Sequence, residues 1–442
     1  MSMRNINYSS VFLSFENKLI NDILLIPTKI PSRKLSILIT FLVLSTLSFS
    51  KTRFIRVIFN DDASTKASII WDQVEGEFEG LYLDTIDPSI NHFAHRYKLS
   101  SSNNMRGMNN KIVRLKDLIP NKTYYFILKD NTGLSQLYYF RTAPNRPEIP
   151  LTFIAGGDSR DNRPVRVKAN KLVPKLYVTA VLFNGDFIGF DTKKDWIEWF
   201  LDWENTIARD GRITPMLVTR GNHELSNKVI YQLFDLPNRK LFYSTTFGGD
   251  LLHIVSLNSE ILKIGRQKLF LRSALAKHKD YTWQIAQYHR PIRAHVKAKK
   301  EMETQYKNFV PLFEKYKNLP LCLENDSHTC KVTWPIVSSK SPESSEGFIR
   351  DDKNGIVYAG EGCWGAPLRA ADDLKPWTRD AGSVNQFNWI FVSKEKIELR
   401  TVLYENEAEI ISLNYQNRFT IPEGLKLFGP NNGTLIEIFP RK

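Results

Sequence analysis

Cysteine is scarce, with only Cys322, Cys330 and Cys363 in 442 residues. So few exclude a disulfide-built scaffold, and their spacing contains no Cys-x-x-Cys pair for a zinc knot. Cys322 and Cys330 suit either a bridge in an oxidising compartment or two buried thiols. Apolar runs of membrane-spanning length are also missing. The run from Leu35 to Phe49 covers roughly 15 residues, short of the ~20 that a spanning helix needs. It follows Ser32-Arg33-Lys34 and ends in small or polar residues, the layout of an export signal; an uncleaved anchor is the other reading. The stretch before it fits neither a signal nor a domain, which places the working start further in. No tight Lys/Arg block, internal repeat, low-complexity tract or nucleic-acid-binding motif occurs. The net charge of +14 is spread along the chain. It favours encounter with anions such as phosphate esters or anionic surfaces, and no specific nucleic-acid binding is expected.

What is present points to folded domains. Hydrophobic residues make up 42% and aromatics 12%, and the length suits two domains plus a targeting segment. From Arg53 to Thr142 short alternating strands are separated by turn residues, as in Arg53–Phe59, Asn60-Asp61-Asp62 and Ala67–Trp71, which predicts a β-sandwich. Pro144 to Pro150 reads as a linker. Beyond Leu151 apolar strands such as Leu151–Ala155 and Val178–Phe183 end in Gly-Asp and are followed by helical spacing, as in Trp196–Leu201. Strand, polar loop and helix in alternation predict an α/β domain with chemistry at the strand ends. The expected division is 1–50 for the extension and signal-like segment, 51–145 for the β-sandwich, 146–405 for the α/β domain and 406–442 for an unassigned tail.

Four features follow apolar strands in order: Gly157-Asp158-Ser159-Arg160, Gly185-Asp186-Phe187-Ile188-Gly189, Gly221-Asn222-His223-Glu224, and His289 in Tyr288-His289-Arg290-Pro291. A single Gly-Asp after a strand is ordinarily a turn and helix cap, and a lone His beyond a strand is ordinarily a satisfied polar residue. Neither a turn nor a cap requires the His and Glu of Gly-Asn-His-Glu. Four such features in sequence indicate a metal site.

The series resembles the calcineurin-like metallophosphoesterases, with purple acid phosphatases the nearest branch. The likeness extends to Ser259-Glu260, the Gln267–Leu275 segment and Tyr358–Pro367. The Leu115–Phe126 segment, with Leu and Pro ahead of a strand carrying Tyr124, resembles the corner of a fibronectin type III domain. The resemblance implies a fibronectin-like sandwich followed by an α/β metallophosphoesterase domain of mixed sheets layered with helices. It also implies two divalent or mixed-valence ions, of iron, manganese or zinc. Asp158 and His328 would bind one and Asp186 would bridge; Asn222, His289 and Asp326 would bind the other. Where the family has Gly-His-x-His before Pro-Ile, this chain has Asn325-Asp326-Ser327-His328, so Asp326 stands for the first His. Gly189 occupies the place of the tyrosine that colours the purple enzymes. Arg160 stands where other branches have a His; since arginine stays charged it would hold a phosphate oxygen or brace a ligand carboxylate. Three carboxylates would then restore the anionic total of two Asp and a tyrosinate, and an oxygen-rich site favours harder ions.

The implied activity is phosphate ester hydrolysis by a metal-held hydroxide, with His223 assisting the leaving group, Glu224 orienting that imidazole, and His295 as a further leaving-group contact or a surface His. Arg290 is a candidate phosphate contact. His253 reads as a strand residue, and His92, His95 and His278 as surface. The expected location is secreted, periplasmic or at the cell envelope. The other reading is a degenerate, non-catalytic binding protein with the β-sandwich as its interaction module.

Overall fold

The computed structural model describes residues 50–87 and 93–441. The Leu35–Phe49 run and His92 lie outside these. Among the described residues no helix is long and apolar enough to cross a membrane.

Two large sheets face one another across the molecule's central core. In the first, the parallel strands Leu151–Gly156, Ala180–Phe183 and Met216–Val218 lie side by side, with Gln386–Val392 antiparallel to Leu151–Gly156 and Ile397–Leu403 beyond it. In the second, Leu252–Ser256, Trp283–Gln287, Leu321–Glu324 and Val357–Gly360 run parallel. Alternation along each strand decides the layering, because side chains two apart share a face. Phe153, Ala155, Leu182 and Leu217 point into the space between the sheets with Ile254, Ile285, Leu323 and Ala359. Their neighbours Ile154, Val181, Phe183 and Val218 face the other way, onto Trp196, Trp199 and Trp203 of the Lys193–Trp203 helix and Ile230 and Leu233 of the Asn227–Phe234 helix. On the far side Val255, Ala286, Cys322 and Tyr358 meet the Arg266–Lys277 and Glu303–Lys315 helices through Leu271, Leu275, Phe309 and Phe313. The result is helix, sheet, sheet, helix. Both faces of every central strand are covered, as near-continuous apolar runs require.

The front β-region forms two antiparallel sheets, one built on Thr52–Ile58, Ala67–Gln73 and Met108–Leu115 and the other on Phe78–Asp84, Thr123–Asp130 and Tyr138–Arg141. Its relation to the rest differs from the expected pair of domains joined by a linker. Thr52–Ile58 pairs in parallel with Met216–Val218, Ile58 facing Met216, so the front sheet continues the first central sheet. Buried Arg56 reinforces the join, its guanidinium donating to the Leu233 carbonyl at 2.6 and 2.9 Å. The Pro144–Pro150 segment begins against the turn between Tyr243–Phe247 and Leu252–Ser256, where the Pro144 carbonyl accepts from Gly248 N–H. The tail also belongs to the sheet: Leu427–Phe428 and Ile436–Ile438 both pair with Ile397–Leu403. All three cysteines are buried and free. Cys322 and Cys330 are therefore thiols, each packed in an apolar surround that pushes its pKa upward.

Candidate metal centre

The ligand candidates sit just beyond the carboxyl ends of parallel strands from both sheets. Asp158 follows Leu151–Gly156, Asp186 follows Ala180–Phe183, and Asn222 follows Met216–Val218. From the other sheet His289 follows Trp283–Gln287, while Asp326 and His328 follow Leu321–Glu324. Facing sheets thus aim five loops at one place. The chain turns sharply there: Asp158, Asp186, Asp326 and His328 all have φ between 53° and 73°. Left-handed backbone at non-glycine residues costs of order 1–3 kcal/mol each and persists only where the surroundings enforce it. Two glycines make room for the carboxylates. A Cβ on Gly221 would lie 2.1 Å from Asp186 Oδ1, and one on Gly362 would lie 2.4 Å from Asp158 Oδ2.

Two buried triads of potential donors result, Asp158–Asp186–His328 and Asp186–His289–Asp326, sharing Asp186. His328 Nε2 lies 3.4 Å from Asp158 Oδ1, and His289 Nε2 lies 3.3 Å from Asp186 Oδ1 and 3.5 Å from Asp326 Oδ1. Asn222 Oδ1 is 3.1 Å from the same nitrogen. Ring orientation is fixed from behind, because a carbonyl can only accept. His289 Nδ1 donates to Asn184 O at 2.8 Å, His328 Nδ1 to Pro367 O at 3.0 Å and His223 Nδ1 to Gly189 O at 2.6 Å. In each neutral ring the Nε2 lone pair therefore faces the cluster, the arrangement that metal-binding imidazoles adopt.

The donor set fits two cations. Around His289 Nε2 three acceptor oxygens converge on a fourth acceptor, which only a proton or a cation can reconcile. Asp158 Oδ2 accepts from Asn325 Nδ2 and Asp326 N–H at 2.9 and 3.0 Å, whereas Oδ1 is buried with no hydrogen-bond partner. The charges tell the same story. Burial disfavours a charged His289, yet the Asp186 and Asp158 carboxylates drive its pKa well above the ordinary value. Burial together with repulsion from Asp186 pushes Glu224 up to about 8. Both shifts share one source, the negative charge that the buried Asp186 carboxylate places at the centre of the cluster.

Residues 157–328 match the family model described as calcineurin-like phosphoesterase. Those residues form a calcineurin-like phosphoesterase domain. The fold is similar to that of the purple acid phosphatase PPD1 from yellow lupin (Lupinus luteus) seeds, at TM-score 0.67 and 15% identity over 84% of this chain and 76% of that one. It is also similar to PhoD, at TM-score 0.64 and 12% identity over 90% of this chain and 93% of that one. No curated protein matches the chain.

Several residues of the candidate site are placed differently from expectation. Glu224 does not touch His223. Its carboxyl accepts from the N–H groups of Asp186, Phe187 and Gly221 at 3.1, 2.8 and 2.7 Å, tying two ligand loops together. The Gly189 carbonyl, at the position of the missing tyrosine, holds the imidazole instead. Arg160 leans over the cluster, with Nη2 3.4 Å from His328 Nε2 and Nε 3.9 Å from Asp186 Oδ2, while Nη1 grips Asp161. Arg290, the candidate phosphate contact, forks its guanidinium onto Glu260 at 2.7 and 3.1 Å. His295 is neither at the surface nor turned to the cleft. It is fully buried, with Nδ1 3.5 Å from Glu361 and Nε2 2.7 Å from the Thr378 hydroxyl. His278 is likewise buried and stacks on His253, which lies in its strand as expected; His95 is exposed.

Two features were invisible in the sequence. Lys299, ten residues beyond His289, places its ammonium 2.8 Å from Asp326 Oδ1 at the site's edge. Beneath the site, buried Lys331 bridges Glu324 and Glu361, at 2.6 Å each. Glu324 also accepts from Tyr288 OH and Ile292 N–H, on either side of His289. One ammonium thereby joins the loops of His289, of Asp326 and His328, and of Gly362. Each of these charges depends on side chains distant in sequence, and no local pattern marks them.

Asp326 belongs to the second triad but shares its Oδ1 with Lys299. Asp326→Ala is expected to lower bound metal from two equivalents toward one, read by elemental analysis of dialysed protein. Full retention of both would assign Asp326 to Lys299 alone.

Proposed function

We propose that the protein hydrolyses phosphate esters at a two-cation centre held by Asp158, Asp186, Asn222, His289, Asp326 and His328. The observation that carries this reading is the pair of buried donor triads meeting at one carboxylate. Two cations there would supply positive charge for the phosphoryl oxygens and acidify a water. The chain's own side chains do the rest. Arg160 and Lys299 hold anionic oxygens at the edge of the cluster, each already within 4 Å of a ligand side chain. His223 is tied by Nδ1 to Gly189, and its half-exposed ring turns Nε2 toward the cleft, 3.8 Å from Asp186 Oδ2. That nitrogen carries the proton to the departing ester oxygen.

The β-region is read as fibronectin-like. Tyr124 OH accepts the Ile119 N–H at 2.7 Å, the corner contact such sandwiches use. The chain is read as exported through the Leu35–Phe49 segment.

Metal analysis combined with hydrolysis of a chromogenic phosphate ester tests the proposal. His223→Ala is expected to lower kcat about a hundredfold or more while bound metal stays at two equivalents. Bound metal without turnover of mono-, di- or pyrophosphate substrates would leave a binding protein in place of an enzyme.

A further inference from the structure

Among the described residues four large apolar side chains are at least three-quarters exposed: Phe190, Leu225, Leu262 and Ile411, at 75%, 76%, 75% and 80%. The first three lie on loops that carry or brace the metal ligands. Phe190 directly follows Gly189, whose carbonyl holds His223. Leu225 lies two residues beyond His223. Leu262 belongs to the loop that Arg290, next to His289, grips through Glu260. None of the three packs into a core cluster, so the fold makes no use of them. Monomeric proteins scatter such residues singly, and a group of them bordering a polar cleft marks a surface that something apolar covers. The cleft is thus divided. Arg160 and Lys299 stand against Asp186, His328 and Asp326, where a phosphoryl group would be held; Phe190 and Leu225 belong to the two chain segments that carry and hold the His223 imidazole, where the leaving oxygen would depart.

We propose that the preferred substrates are phosphate esters whose leaving group is apolar, alkyl or aryl, and that Phe190 and Leu225 cover that group beside His223. This rests on the phosphate-ester reading above. A polar leaving group, such as a sugar or glycerol, would leave both side chains facing water. An apolar one removes area from water on both partners and dries the path of the proton from His223 Nε2.

The test compares n-octyl phosphate with glycerol 1-phosphate on the metal-loaded full chain, since both esters release a primary alkoxide. Wild type is expected to favour the octyl ester in kcat/KM by about tenfold or more, and in Phe190→Ser/Leu225→Ser that ratio falls at least about tenfold. Calorimetry with octylphosphonate and methylphosphonate gives a readout without turnover. Octylphosphonate should bind wild type about tenfold more tightly than methylphosphonate, and the double variant should bind the two alike. The exposed positions make misfolding of the variant detectable by an altered melting temperature, and Leu225→Ser alone serves as a milder second variant. Equal kcat/KM for the two esters in wild type, or a ratio unmoved in both variants, overturns the inference while leaving the esterase reading intact. Cosedimentation of wild type, but not the double variant, with phosphatidylcholine vesicles at an unchanged ester ratio overturns it in favour of surface docking. Selective octylphosphonate binding without hydrolysis of either ester sinks the esterase reading and keeps the apolar pocket.

Discussion

Asp186→Asn should release both cations together and slow phosphate ester turnover by at least about a thousandfold, equivalent to about 4 kcal/mol of barrier. Its carboxylate belongs to both donor triads, so an amide of the same size and shape removes negative charge from each. Burial by itself raises the Asp186 carboxyl, but the charges of His289 and His223 and the His223 N–H bring it down to about 2. It is thus ionised at neutral pH, ready to bind cations without first losing a proton. Elemental analysis after dialysis, alongside a chromogenic ester assay, checks both parts of the expectation. Retention of two metal equivalents by the amide variant would show that Asp186 is not shared.

The second large effect concerns a residue that touches neither metal nor substrate. Lys331→Met should destabilise the fold by about 3–5 kcal/mol, the usual cost of stranding buried partners of a removed charge. Lys331, Glu324 and Glu361 are all at most 1% exposed. Burial opposes the ammonium, but the two carboxylates raise its pKa, so the lysine is charged in the folded protein. The variant would leave two carboxylates without their cation, one of them accepting from Tyr288 OH beside His289. Urea denaturation measures the loss. Adding Glu324→Gln and Glu361→Gln should restore a large part of it, because the stranded charge goes with them. A single variant as stable as wild type would show that the triad is not what holds these loops.

The sequence made the centre legible where ligand identity is tied to strand ends. Gly-Asp, Gly-Asp and Gly-Asn-His-Glu each follow an apolar strand, because parallel strands deliver their carboxyl ends to one edge. Asp326 and His328 came from the resemblance alone, through Asn325-Asp326-Ser327-His328 ahead of Pro335-Ile336. What escaped were contacts between loops. Glu224 looks like a partner for the adjacent His223, yet the tight turn aims its carboxyl at backbone N–H groups of the Asp186 loop. His295, six residues after His289, looked like a second cleft residue and instead joins the charges beneath it. Lys299 and Lys331 sit in stretches whose lysines have no distinguishing pattern. The fold followed the same division. Strand and helix positions came from periodicity, as at Leu151–Gly156 and Lys193–Trp203. The pairing of Thr52–Ile58 with Met216–Val218 did not, since partners more than 150 residues apart leave no local mark.

That pairing has a wider consequence. Removing residues 51–145 would strip the Met216–Val218 strand of a neighbour and bare a row of unpaired peptide groups beside the loop that carries Asn222. Open strand borders recruit other chains. The front layer therefore serves as a hem for that strand's sheet, and residues 146–442 expressed without it would carry the open border.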